Sequence, residues 1–276
     1  MEKVERPGTE KYLDEKPEII KDSYTGSGKL KGKNALITGG DSGIGRAVAV
    51  HYAKEGCNVL ISYLEEHEDA EDTKKLVEQQ GVTCSYMAGD LREESYRKEL
   101  LEQFKEQYGK LDILVNNAAT QYSETSFEDI SDDHIKETFD TNIVAMIILT
   151  KAAMPLMSSG SRIINTTSVT AYEGNQLLVD YSSTKGAIVS FTRALSGQLA
   201  ERNILVNGVA PGPIWTPLIP ATLPEEKVKK FGENTPLGRK GQPSEVAPAY
   251  VYLASEDSTY MTGQILHING GRVVGG

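Results

Sequence analysis

The chain has 276 residues, 39% of them hydrophobic and 25% charged, with a formal charge of −10. That length suits one α/β core rather than two, and the acidic balance argues against broad electrostatic binding to nucleic acid or an anionic membrane surface. No apolar run is expected to approach the roughly 20 residues of a membrane-spanning helix; an N-terminus without an apolar signal core, and a Cys57 and Cys84 that form no disulfide or metal pattern, point to the reducing cytoplasm.

Residues 1–32 are polar and broken by proline and glycine, so they are expected as an N-terminal extension, either a partly ordered tail or an arm on a neighbouring subunit. A single domain follows over residues 33–276. Its first strand is "NALIT" (34–38), followed by the turn "TGGDSGIGR" (38–46) and a helical stretch, "RAVAVHYAKEG" (46–56). Further strands are predicted at "NVLISY" (58–63), "CSYMAGD" (84–90), "LDILVNNA" (111–118), "SRIINTTS" (161–168), "ILVNGVAP" (204–211) and "QILHING" (264–270). Residues 95–109 and 134–157 place apolar side chains at spacings of three and four, as a helix packing one face on a sheet requires. Repeated βαβ units imply an α/β fold, a doubly wound parallel sheet with helices on both faces. Residues 217–243 form a long connection with one short helix, where ligand contacts often lie.

Glycine clustered between a strand and a helix asks for a reason, because each costs about 1 kcal/mol in a helix relative to alanine. The first helical N–H groups are unpartnered and the dipole there is positive, so such a turn suits a diphosphate. Glycines at 39, 43 and 45 do not follow G-x-G-x-x-G, and a tight turn without a ligand is the competing reading. The chain continues with "NNAA" (116–119), Ser168, "YSSTK" (181–185) and "PGPIWT" (211–216). In this order and spacing, from residue 30 to the C-terminus, the sequence resembles the short-chain dehydrogenase/reductase family. "GDSGIG", "PGPIWT" and "YVYLASEDSTYMTGQ" (250–264) are similar to a bacterial aldehyde-reductase subgroup. The resemblance implies a Rossmann fold of about seven strands.

Tyr181 and Lys185 are four apart, so on a helix they reach one molecule from one face. A phenol ionises near 10, and a neighbouring ammonium favours the phenolate; alone, the pair would read as a surface contact. The resemblance makes Tyr181 the acid/base and Lys185 a partner of the nicotinamide ribose. It makes Ser168 the hydroxyl that polarises the carbonyl oxygen, in preference to Thr167. It places Asn142 where the family holds a proton-relaying water, although an asparagine in an apolar helix is otherwise a locally bonded structural residue.

The same resemblance assigns cofactor contacts to Gly39, Ser42, Gly43, Ile44 and Gly45, to Tyr63 and Leu64, to Asp90 and Leu91, and to Asn117, Ala118 and Ala119. It adds Pro211, Gly212, Ile214 and Thr216. Helix capping competes at Asp90, an asparagine-stabilised turn at "NNAA", and a proline turn at "PGPI". His51, His67, His134 and His267 show no metal-ligand spacing, so no metal is expected. Tyr63 stands where NAD-using relatives often carry aspartate, Leu64 and Ser42 where NADP-using relatives often carry a basic residue. No Lys or Arg lies between Lys54 and Lys74, so electrostatics favour NAD. NADP is the alternative, through Arg46 or the backbone at 62–64, and is the cofactor that the aldehyde-reductase likeness implies. The expected activity is hydride transfer between a nicotinamide cofactor and a small aldehyde or ketone. Sugar or polyol oxidation and a non-catalytic dinucleotide-binding role are the alternatives. The sparse charge of "YEGNQLL" (172–178) favours a neutral small molecule, and the resemblance implies a homotetramer.

Overall fold

The computed structural model describes residues 8–274. The apolar runs become seven parallel strands: β1 (Asn34–Thr38), β2 (Asn58–Tyr63), β3 (Cys84–Ala88), β4 (Ile113–Asn116), β5 (Arg162–Thr166), β6 (Leu205–Pro211) and β7 (Ile265–Ile268). They form one sheet in the order β3-β2-β1-β4-β5-β6-β7. Ala35 faces Val59 on one side and Ile113 on the other, so the strand order reverses at β1 and opens a crevice at the strands' carboxyl ends.

Successive side chains of β1 enter opposite layers, which is why the run reads as continuously apolar. Ile37 and Ile61 pack with Ala47, Val50, Val246 and Tyr250, from α1 (Gly43–Lys54) and a late helix, Pro243–Ala254. Leu36, Leu60 and Leu114 instead pack with Leu100 and Phe104 of the helix Glu94–Tyr108 and with Leu149. In chain order the helices are α1, α2 (His67–Glu78), α3 (Glu94–Tyr108), α4 (Asp132–Phe139), α5 (Ala145–Ala153), α6 (Thr170–Glu173), α7 (Val179–Leu199), α8 (Leu218–Thr222), α9 (Glu225–Lys229) and α10 (Pro243–Ala254).

Three expectations change. The helix predicted over 134–157 is helical throughout but interrupted between α4 and α5 by a π turn, Asp140–Val144, and ends in a 3-10 turn at Met154–Leu156. By length and composition Asp132–Leu156 is also long and apolar enough to cross a membrane, contrary to the reading above. In the fold its apolar side chains Met146 and Leu149 are buried against the rest of the domain. The connection 217–243 carries two short helices, α8 and α9, rather than one.

The N-terminal extension, over its described residues, lies on its own domain. Leu30 is buried in the α1 layer, and Leu13 packs with Trp215 and Ile219. Glu55, at the end of α1, accepts from the Tyr24 hydroxyl at 2.7 Å and from the N–H groups of Ser27 and Lys29 at 2.9 and 3.0 Å. Trp215 Nε1 donates to the Glu15 carbonyl at 2.8 Å.

Candidate active site

The chain leaves β1 through a turn that favours glycine. Gly39 has φ +62°, and a Cβ there would stand 3.0 Å from the Ala118 Cα. A Cβ on Gly45 would lie 1.8 Å from the Gly39 carbonyl oxygen, so this glycine lets α1 rest on the turn. Asn117 fastens the turn to the end of β4: its Nδ2 donates to the carbonyls of Thr38 and Gly39 at 3.2 and 3.1 Å. The Thr38 hydroxyl oxygen accepts from the N–H groups of Asn117 and Ala118 at 2.9 and 3.1 Å.

A cavity of about 280 Å³ lies over this crevice. Of the residues expected at a cofactor, Gly39, Ser42, Gly43, Ile44, Tyr63, Leu64, Asp90, Leu91, Asn117, Ala118, Ala119 and Thr216 line it, together with Tyr181 and Lys185. Gly45, Pro211, Gly212 and Ile214 do not. β6 runs to Pro211, and Gly212 stays paired with β7, its N–H donating to the Ile268 carbonyl at 2.9 Å. Ile214 turns to a bridge with Gly241 and a separate cavity of about 90 Å³. Among the lining residues that sequence reasoning missed are Gly8, Asp41, Glu66, Arg92, Glu137 and Leu218. Asp41 sits within the quoted glycine turn, and only its neighbours were read for contacts.

At the far end, Asp90 is gripped by Arg92, whose Nε lies 3.0 and 2.9 Å from the two carboxylate oxygens and whose N–H bonds Oδ1 at 2.8 Å. Burial alone would raise this carboxyl, but the Arg92 bonds hold it below the usual range. Asp90 does not cap α3, whose N-cap is Glu93. Tyr63 closes the end of β2, its hydroxyl 2.8 Å from His67 Nδ1. Burial raises Asp41 to about 7.

At the near end, α7 presents Tyr181 and Lys185 one turn apart. Lys185 is 2% exposed; its Nζ donates to the Thr166 carbonyl at 3.0 Å and lies 5.3 Å from the Tyr181 ring centre. Burial lowers the Lys185 ammonium to about 7, with no carboxylate to oppose it. Burial also pushes the Tyr181 phenol up to about 12, and a hydrogen bond with Ser168 works against that rise. Ser168 and Thr167 part here: the Thr167 hydroxyl donates to the Lys185 carbonyl at 2.7 Å, while Ser168 faces Tyr181. Asn142 sits in the π turn, a feature common at functional sites. Its Nδ2 donates to the Thr120 carbonyl at 2.8 Å and to Thr184 Oγ1 at 3.2 Å, and its Oδ1 accepts from Thr120 N–H at 2.8 Å. It thereby ties the loop after β4 to the residue before Lys185. Among the described residues no cluster of His, Cys, Asp or Glu could hold a metal.

A family model described as enoyl-(acyl carrier protein) reductase matches residues 39–272, and the uncharacterized oxidoreductase YhdF of Bacillus subtilis is 56% identical over 98% of this chain and 93% of its own. The chain belongs to the short-chain dehydrogenase/reductase family. Members of this family are nicotinamide-dependent oxidoreductases. NADPH-dependent aldehyde reductase 1 of Arabidopsis thaliana is 49% identical over 98% of this chain and 96% of its own. Glucose and ribitol dehydrogenase of Daucus carota is 48% identical over 98% and 95%. A short-chain dehydrogenase from Burkholderia cenocepacia, solved in complex with NADP, superposes with a TM-score of 0.82 at 30% identity. It covers 88% of this chain and 98% of that one.

Proposed function

We propose that this short-chain dehydrogenase/reductase reduces small, neutral aldehydes or ketones, with Tyr181 as the proton donor. The observation that carries the reading is the buried Tyr181–Lys185 pair, with Ser168 on the phenol, in the same cavity as the glycine turn. The residues fit a nicotinamide dinucleotide: any side chain at Gly39 would crowd Ala118 and narrow the cradle, and the start of α1 offers N–H groups to a diphosphate. When bound, the cofactor supplies or accepts the hydride. Ser168 Oγ donates to the substrate oxygen and orients the carbonyl. Tyr181 passes its proton to that oxygen as negative charge develops there, and Lys185, protonated, stabilises the phenolate left behind. In the oxidative direction the same phenolate accepts the alcohol's proton. Asn142 holds the backbone at Thr120 and, through Thr184, the turn of α7 that carries Lys185.

We read the preferred cofactor as NAD(H). Asp41 and Glu66 line the cavity beside Tyr63 and Leu64, where a 2′-phosphate would lie, while the two cations among its described lining residues are engaged elsewhere: Arg92 by Asp90, and Lys185 beside Tyr181. NADP(H) is the alternative, favoured by the names of the Arabidopsis and Burkholderia proteins. Oxidation of a sugar or polyol is the second reading of the reaction, favoured by the carrot relative's name. The exposed Val144, Ile147 and Ile148 support a homotetramer, and two free buried cysteines support a cytoplasmic setting. The test is kcat/KM for NADH and NADPH against a panel of aldehydes and ketones, beside NAD+ and NADP+ with glucose and ribitol. Turnover confined to the polyols would replace the reductase reading with the dehydrogenase one.

A further inference from the structure

We infer that Glu10, carried by the N-terminal extension, is a cofactor-selecting residue that acts from behind the cavity wall: it occupies Arg46 and the first N–H of α1, so that neither is available to a 2′-phosphate. The inference rests on the reading that a nicotinamide dinucleotide fills the cavity. Arg46 lies one turn into α1, 5% exposed, beside a helix N-terminus, which is the arrangement that most readily receives a phosphate. Every arm of its guanidinium is already used. Nε donates to the Asp41 carbonyl at 2.8 Å and to Thr73 Oγ1 at 2.9 Å. One terminal nitrogen bonds the Asp69 carbonyl and carboxylate at 2.9 and 3.3 Å, and the other bonds Glu10 Oε2.

Glu10 is 6% exposed and held on both sides. Its second oxygen accepts from the Gly43 N–H at 3.0 Å, and its own N–H donates to Asp69 Oδ2 at 2.9 Å. Two carboxylates therefore share one guanidinium behind Asp41 and Glu66, which line the cavity, and Lys16 donates to the Glu10 main-chain carbonyl. Two residues before Glu10, Gly8 is itself part of the cavity wall, and a Cβ there would stand 2.6 Å from the Pro217 carbonyl oxygen. The extension is thus built into the cofactor end of the site, and Glu10 acts as a positioning residue through Arg46. A 2′-phosphate would meet an occupied cation and a surplus of carboxylate, whereas a free 2′-hydroxyl would meet hydrogen-bond acceptors.

The test measures dissociation constants for NAD+ and NADP+ by intrinsic fluorescence on the full chain and on Glu10→Gln, which keeps the shape and the acceptor for Gly43 but removes the charge. The wild type is expected to bind NAD+ at least tenfold more tightly than NADP+, and Glu10→Gln to shrink that ratio at least fivefold through a gain in NADP+ affinity. An extension that matters only for packing would shift both constants by one factor, and that result overturns the inference. So does a wild type that binds NADP+ as tightly as NAD+, a measurement that needs no variant. That second outcome leaves the carbonyl-reductase reading standing, whereas a chain that binds neither dinucleotide ends both.

Discussion

The two ends of the cavity are buried alike and charged oppositely. At the glycine turn, burial raises the Asp41 carboxyl to about 7 and raises Glu66, while the neighbouring cation, Arg46, is saturated. At the other end, burial lowers the Lys185 ammonium to about 7 and leaves it with a carbonyl rather than a carboxylate as partner. One cause, the cost of taking a charge out of water, thus brings an acid and a base to the same region of pH from opposite sides. The difference lies in what each end keeps available. The end at α7 holds an ammonium beside a phenol with no carboxylate partner, whereas the end at the glycine turn neutralises its cation and leaves acceptors.

Removing the Tyr181 hydroxyl has the largest expected effect: Tyr181→Phe should lower kcat by about 10³-fold, the scale of a lost general acid. Lys185→Met sharpens the contrast by separating activity from stability. Turnover should fall roughly 10²-fold, while the protein becomes more stable. Because folding lowers this ammonium from its ordinary 10.5 to about 7, its cost is full below pH 7, fades between those values and vanishes above them. The melting temperature of Lys185→Met should therefore rise more at pH 6 than at pH 9, by an amount worth about 1 kcal/mol or more at the lower pH. Loss of stability at pH 6 would mean that the ammonium is well solvated and that the comparison of the two ends is mistaken.

Asn142→Ala removes three hydrogen bonds that join Thr120 to Thr184. It should cost about 1–3 kcal/mol in denaturant unfolding and lower kcat with little change in KM for the dinucleotide. The smallest effect is expected at Asp41, where the sign is opposite to that of Lys185. Its carboxyl is raised from 3.8 to about 7, so the cost of burying the charge is absent below the lower value and full above the upper one. Asp41→Asn should raise the melting temperature at pH 8 and not at pH 3.5; an equal shift at both would break the symmetry argued above.

The sheet was legible because strands buried on both faces leave continuous apolar runs, and β1 and β2 begin and end where those runs do. The four-residue spacing of Tyr181 and Lys185 fixed only a shared helix face; by itself it read as a surface contact, and what singled the pair out was its place in the ordered motifs of the short-chain dehydrogenase/reductase resemblance. Other features carry no such local mark. The π turn at Asp140–Val144 shifts the helical bonding by one residue without changing the composition of the helix. Ile214 was expected in the cavity from its motif, but the pairing of Gly212 with β7 carries the chain past it. Glu10, Leu13 and Glu15 are isolated residues in a polar stretch, and their partners, Arg46, Trp215 and Lys240, lie 36 to 225 residues away. Contacts of that range leave no pattern in the extension itself.

The most direct test of the account is a single-turnover measurement on wild-type protein and Tyr181→Phe, each preloaded with reduced cofactor and mixed with an aldehyde that the wild type turns over. Hydride transfer in Tyr181→Phe should slow by the same factor as kcat, about 10³, with the cofactor still bound. Hydride transfer at the wild-type rate in Tyr181→Phe would contradict it, and would mean that the buried pair on α7 does not carry the proton.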